Sequence, residues 1–298
     1  MPISAKQIEI RKKFIGSSDA AAVLGLDPYR TPFDVWADKT GRIEATGLDP
    51  NNDAIDVGNW CEEAVLKWFA NKRGLKLILN DENDRNRRQH ANGIMAANFD
   101  AFVEGDVSQA CEAKTHAVTS LYVSDQWGEE GTEEIPERVA LQCQHQMAVV
   151  PSLGIVHVPV LLGGVGLRAY FSERNDELIR DMTDVMLNFW HEYVLKDSPP
   201  PDAVPSLSTV KKLRRVPNKI ISLADDLVTN WIGAKETLKA AEEHKEDTIL
   251  RLLRALGDAE AGSCALGIVT YYLSKPRLAY TVPAHPGFRS LRLSKPKG

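Results

Sequence analysis

Apolar and polar positions alternate with two periods along this chain, and the two periods mark out its elements. The opening MPISAKQIEIRKKF is amphipathic at helical spacing and ends near Phe14. In IGSSDAAAVLGLDPYRTPFDVWADKTG, Ser18 or Asp19 can cap a short helix through Leu24, and Gly25 can stop it. A second helix is predicted from Pro32, a favoured first-turn residue, to Thr40 before Gly41. Residues 41–57 read as a loop. From Gly58 to Gly74, GNWCEEAVLKWFANKRG is a helix with apolar contacts from Trp60, Ala64, Leu66, Trp68 and Phe69. LKLIL at 75–79 is a short strand, and a charged stretch through Asn92 breaks the pattern. GIMAANFDAFVEGDVSQACEAKT then predicts two strands joined by a turn around Gly105. IPERVALQCQHQMAVV is a helix with Pro136 in its first turn. LGIVHVPVLLGG and GLRAYFS form a strand pair, followed by a helix from about Asn175 to Leu195.

SPPPDAVPS at 198–206 is the clearest boundary, since its prolines favour an extended linker. The predicted organisation is an α/β domain with a mixed sheet over 1–197, this linker, and an appendage over 207–298 with a long helical stretch at 222–256 and a short β tail. No run approaches the roughly 20 apolar residues needed to span a membrane, and the N-terminus lacks the apolar core of a secretory signal. A cytoplasmic protein, in a bacterial or phage-infected bacterial cell, is expected. Cys61, Cys111, Cys143 and Cys264 contain no C-x-x-C pair and read as small core residues. Their scatter disfavours an iron–sulfur cluster.

The formal net charge of −5 argues weakly against a nucleic-acid partner, but its distribution changes that. After Glu260 there is no Asp or Glu, whereas Lys275, Arg277, Arg289, Arg292, Lys295 and Lys297 follow, interleaved with Tyr271, Tyr272, Tyr280 and Phe288. Basic side chains can track phosphates and aromatics can stack on bases. The same aromatics would serve equally well as the core of a small β unit.

Chemistry concentrates in NFD (98–100) and CEAKT (111–115). Strand alternation turns Glu112 and Lys114 to one face, and a hairpin can bring Asp100 beside Glu112. An E-x-K by itself reads as a surface ion pair, but with Asp100 beside it the set resembles the two-carboxylate-plus-lysine arrangement of the PD-(D/E)-x-K nucleases, which implies magnesium-assisted phosphodiester hydrolysis. Asp100, Glu112 and the Ala113 carbonyl offer hard oxygen ligands. The metal polarises the phosphate and acidifies a bound water. Lys114 positions that water and offsets developing charge. Glu62, on the preceding helix, could complete a second metal site, with the ions about 3.5–4 Å apart. Spacing alone does not choose it over Glu63. On the later helix Gln142 and Gln146 share a face, while Gln144 points elsewhere.

Four blocks in order, GSSDAAAVLGLDPYRTPFDVWADKTG, GNWCEEAV, NFD with CEAKT, and ALQCQHQMAV, resemble the lambda-exonuclease or YqaJ-type viral recombinase family, over roughly residues 10–195. The resemblance implies a PD-(D/E)XK, restriction-endonuclease-like core. It selects Glu62 over Glu63, places the metal-site Asp and E-x-K on Asp100, Glu112 and Lys114, and makes Gln142 the active-site glutamine. It further implies that Arg11 and Ser18 contact a DNA 5′-phosphate, with Asn98 as a small polar contact. A further family Arg would fall near Ser120 in this chain, so Arg30 or Lys39 is left to compensate.

The function so implied is a processive 5′-to-3′ exonuclease on linear double-stranded DNA. It would use Mg2+, for which Mn2+ should substitute, with two ions per site, and would leave 3′ single-stranded overhangs for phage-type homologous recombination. The resemblance also implies a ring-shaped homotrimer and a single-strand annealing protein as partner, with no membrane. The alternatives are an endonuclease using the same site, or a non-catalytic DNA-binding protein on a nuclease fold. The intact Asp100, Glu112 and Lys114 argue against the last.

Overall fold

A computed structural model describes residues 9–43, 53–81, 85–116, 127–201, 203–206, 209, 210, 213, 222–273 and 289–294. Contacts divide the chain into two units, Met1–Val216 and Pro217–Gly298. Ser120 and the tail residues Lys275, Arg277, Tyr280, Phe288, Lys295 and Lys297 lie outside the described residues.

Helical residues 9–11 lead the first unit into strand β1 (Ile15–Gly16), then a 3-10 turn (Ser17–Asp19) and helix α1 (Ala20–Val23). Gly16 is the N-cap of the turn, and Asp19, its third residue, reaches back so that its Oδ2 accepts the Gly16 N–H at 3.1 Å; Asp19 precedes α1 without capping it through its side chain. Helix α2 (Pro32–Lys39) starts in a reciprocal capping box between Thr31 and Asp34. Helix α3 (Asp53–Arg73) begins ahead of the expected Gly58. No proline separates Asp53 from Gly58, so nothing stops the helix there. Gly58 is carried inside it at the point of approach to the sheet, where a Cβ would lie 3.4 Å from Thr115 Oγ1. Val65, Leu66 and Phe69 of α3 are buried. Trp60, an expected apolar contact, is instead 76% exposed, and Ala64 is exposed as well.

The strands that follow are β2 (Leu77–Leu79), β3 (Arg87–Gln89), β4 (Met95–Asn98), β5 (Ala101–Val103), β6 (Gln109–Cys111) and β7 (Lys114–His116). Helix α4 (Glu137–Val149), strands β8 (Ile155–Leu162) and β9 (Gly166–Glu173) and helix α5 (Asp176–Phe189) complete the core, with a π-helical turn, Trp190–Val194, after α5. Strand β3 falls in the charged stretch that was expected only to break the pattern. It is an edge strand, paired solely with β4 among the described residues, and an edge tolerates the polar RRQ because one side meets water.

Two sheets result. A small one has the order β1-β4-β3, with β1 parallel to β4. In the larger, β6 and β7 lie end to end along β8, Cys111 opposite His157 and Lys114 opposite Val160. They act as one strand interrupted at Glu112 and Ala113. It is flanked by β5 on one side and β8 on the other, with β2 beyond β5 and β9 beyond β8. Val156, Val158, Val160 and Leu162 of β8 join the main core with Met147 of α4 and Met182, Met186 and Phe189 of α5. The opposite face carries a second cluster in which Leu66 and Phe69 of α3 pack on Ala101, Cys111 and Ala169. The architecture is therefore mixed α/β, with helices on both faces of a mixed sheet. Cys111 and Cys143 are buried, Cys61 is half-buried, and Cys264 is exposed rather than a core residue.

The Pro-rich segment ends on α2, where the Ser206 N–H donates to Asp34 Oδ1 at 3.0 Å. The second unit holds helix α6 (Asp225–Leu256) and a three-stranded antiparallel sheet of β10 (Ala261–Cys264), β11 (Gly267–Leu273) and β12 (Arg289–Ser294). No residue of α6 is buried, and pairs such as Asp247–Arg251 at 2.8 Å lie along its surface. Among the described residues no helix is long and apolar enough to cross a membrane.

Candidate active site

Strand register builds the site. Ala101 pairs with Cys111 across the β5–β6 ladder, so Asp100 stands at the level of Glu112. Asp100 Oδ2 accepts the Ala113 N–H at 2.8 Å, which pins the loop between β6 and β7. Glu112 keeps a backbone bond to β8, its N–H donating to the His157 carbonyl at 2.9 Å. Lys114 Nζ lies 2.6 Å from Glu112 Oε1 and 3.0 Å from Gln142 Oε1. The E-x-K pair thus converges although the regular strand breaks between its members.

Helix α4 closes the site from above the sheet. Gln142 Nε2 donates to Glu112 Oε1 at 2.6 Å and Gln146 Nε2 to Glu112 Oε2 at 2.5 Å. Gln144 turns away, as helical spacing requires, and bonds Ser172 Oγ, the Glu173 carbonyl and the Asn175 N–H. Gln146 was seen from sequence to share a face with Gln142, but resemblance chose Gln142 alone. The structure brings both to one carboxylate.

Glu62 of α3 faces the same cluster. Burial, and then the Glu112 carboxylate, push its carboxyl above the ordinary range. Glu63, one residue on, is out in solvent beside Lys67 Nζ at 2.6 Å. Asp100 is half-buried at the wall of the site, and desolvation followed by the charges of Glu112 and Glu62 raises it well above the usual carboxylate value. Burial works to lower the Lys114 ammonium, but Glu112 and Asp100 outweigh it and hold its proton more firmly than usual. Three carboxylates thus share one ammonium. That excess negative charge on oxygen donors fits a hard divalent cation, and Glu62, Asp100, Glu112 and the Ala113 carbonyl could hold it. As they stand, both Glu112 oxygens are engaged by neighbours. Among the described residues no three acidic, imidazole or thiol groups are gathered as a ready-made cage.

A cavity of about 240 Å³ runs from Asp100, Glu112 and Gln142 to a basic end lined by Arg11, Ser18, Asn98, Arg30, Lys39 and Arg87. The small sheet positions this end. Gly16 pairs with Ala96, bringing the Ser17–Asp19 turn beside β4, and Arg87 pairs with Asn98. Arg30 and Lys39 are both bound to Asp19, at 2.7 Å each, and Lys39 also donates to the Arg11 carbonyl at 3.0 Å. Both therefore brace the basic end through Asp19 while also lining it. Arg87 escaped the sequence reading because it sits in a polar stretch that carries no strand pattern.

Residues 7–151 match the model of the YqaJ-like viral recombinase domain. The chain is 30% identical over 260 residues to the uncharacterized protein YqaJ of Bacillus subtilis (strain 168), covering 85% of this chain and 78% of that protein. Among solved structures, the alkaline exonuclease LHK-Exo from Laribacter hongkongensis overlaps 65% of this chain and 94% of its own, with 13% identity and a TM-score of 0.49. A phage-related exonuclease from Haemophilus somnus 129PT overlaps 64% of this chain and 100% of its own, with 14% identity and a TM-score of 0.42. By its family match and its YqaJ relative, this chain belongs to the YqaJ-like viral recombinase family.

Proposed function

We propose that this chain is a magnesium-dependent deoxyribonuclease that digests linear duplex DNA from its ends in the 5′-to-3′ direction. The observation that carries this reading is the single cavity lined both by Asp100, Glu112 and Gln142 and by the basic group around Arg11 and Ser18. Membership of a viral recombinase family supports it, because end resection supplies the 3′ single strand that recombination uses.

A metal held by the carboxylates would polarise the scissile phosphate and lower the pKa of a bound water. Lys114, fixed by Glu112 and Gln142, carries a retained positive charge beside the phosphate oxygens on which charge builds. Arg11 can take two oxygens of a terminal phosphate in parallel hydrogen bonds, and Ser18 adds a hydroxyl. Anchoring the terminal phosphate at a fixed place in the cavity selects which phosphodiester meets the carboxylates, and so sets the polarity. A ring-shaped trimer around the duplex and a single-strand annealing partner complete the reading.

The test is digestion of one linear duplex labelled at each end, beside a closed circle, in magnesium and in EDTA. Magnesium-dependent loss of 5′ label with the circle intact is expected. A nicked circle would favour the endonuclease, and no hydrolysis by the folded protein in magnesium or manganese overturns the reading.

A further inference from the structure

The basic end of the cavity holds four cationic side chains, and they are not equivalent. Asp19 takes Arg30 Nη1 on Oδ1 and Lys39 Nζ on Oδ2, each at 2.7 Å. These two charges are committed to the fold, and Lys39 retains only 2% side-chain exposure. Arg11 and Arg87 have no carboxylate partner among the described residues.

Arg87 is placed by its strand. It lies directly opposite Asn98 in the antiparallel β3–β4 ladder, so the two side chains share a face. Asn98 is two residues before Asp100. The guanidinium carbon of Arg87 stands 4.8 Å from the centre of the Phe14 ring. A ring under the plane of a guanidinium restrains it and leaves its edge N–H groups open to an anion.

We propose that Arg87 is the second cation of the end-recognition subsite, binding the terminal 5′-phosphate together with Arg11 and setting the preference for phosphorylated ends. The proposal rests on reading the cavity as a DNA-end site. The charge count supports it. A terminal phosphomonoester carries about −1.5 to −2 at neutral pH, whereas an internal phosphodiester carries a single negative charge. Two uncommitted guanidinium groups match the terminal group.

The test uses the full chain with blunt duplexes bearing a 5′-phosphate or a 5′-hydroxyl, with binding followed by fluorescence anisotropy in calcium. The unsubstituted protein is expected to favour the phosphorylated end by about tenfold or more. Arg87→Ala should reduce that preference to about threefold or less, and Arg87→Lys should recover part of it, because an ammonium restores charge without the planar fork. Should Arg87→Ala fold poorly, Arg87→Gln and Arg87→Lys give the same comparison. If the variants keep the full preference, Arg87 is not in the subsite, and the end-site reading stands on Arg11 and Ser18. Equal losses for both ends make Arg87 a general electrostatic contact and overturn the proposal. If the unsubstituted protein binds both ends alike, the proposal fails, and digestion in magnesium then decides separately whether the chain is a nuclease.

Discussion

Gln146 Nε2 donates to Glu112 Oε2 at 2.5 Å, one helical turn beyond the Gln142 bond to the other oxygen of the same carboxylate. Helix α4 therefore holds both oxygens of Glu112 and fixes the carboxylate plane. Gln146 is fully buried and does not itself line the cavity; besides Glu112 its Nε2 reaches, among the described residues, only the Asn98 carbonyl, at 3.4 Å, so it acts through Glu112 as a positioning residue. Gln146→Ala is expected to lower activity by about 10- to 100-fold, chiefly through a higher magnesium requirement. A magnesium titration of the rate checks this, and an unchanged midpoint removes Gln146 from the site.

Asp100→Asn, Glu112→Gln and Lys114→Ala should each abolish cleavage, with combined effects no larger than the single ones, because the three act as a unit. Asp100→Asn carries a second expectation. The Asp100 carboxyl is raised well above 3.8 by burial, Glu112 and Glu62. Between 3.8 and that raised value the folded protein holds a proton that the unfolded chain has lost, so this group's contribution to stability falls as pH rises. Asn keeps an oxygen for the Ala113 N–H and removes the charge. In EDTA at neutral pH the variant should melt above the unsubstituted protein and should gain less on adding magnesium. A lower melting temperature in EDTA contradicts the electrostatic account.

Asp19 binds together the 3-10 turn, the Arg30 loop and α2. Burial opposes its charge, but Lys39 and Arg30 hold its carboxyl below the usual range. A depressed carboxyl stabilises the fold above its unfolded value near 3.8, and the contribution is lost as pH falls below that. Asp19→Asn leaves Lys39 buried without its charge partner and should cost about 3–5 kcal/mol of stability by chemical denaturation. A loss below about 1 kcal/mol would remove this pair from the surface-bridge-exceeding class to which burial assigns it.

Burial holds His145, in the middle of α4, down from 6.5 to about 4. Below 6.5 the unfolded chain takes up a proton that the folded protein refuses, so stability is lost as pH falls from 6.5 towards 4. His116 and His157 are likewise lowered to about 4, chiefly by burial, and add to the same loss. His145→Gln should flatten, without abolishing, the decline in melting temperature across this window. An unaltered slope would assign the acid sensitivity to other groups.

The sequence by itself determined most helices and the long β8–β9 pair, because their apolar periods and their Gly, Pro and Thr stops are local signals. It also determined the residue types at Asp100, Glu112 and Lys114, and the shared face of Gln142 and Gln146, since both follow from fixed spacings. Its spacing did not decide between Glu62 and Glu63, and only the family resemblance selected Glu62. Neighbouring helical residues differ only in direction, and direction acquires meaning when α3 lies on the sheet with Gly58 at Thr115. Nor did it decide which cations have a carboxylate partner. Arg30 and Lys39 lie 11 and 20 residues from Asp19 along the chain, and only folding brings them to its two oxygens. Strand β3 was invisible because an edge strand needs no apolar alternation, so Arg87 read as one charge among many. Its place beside Asn98 comes from the β3–β4 ladder, a pairing set by tertiary register.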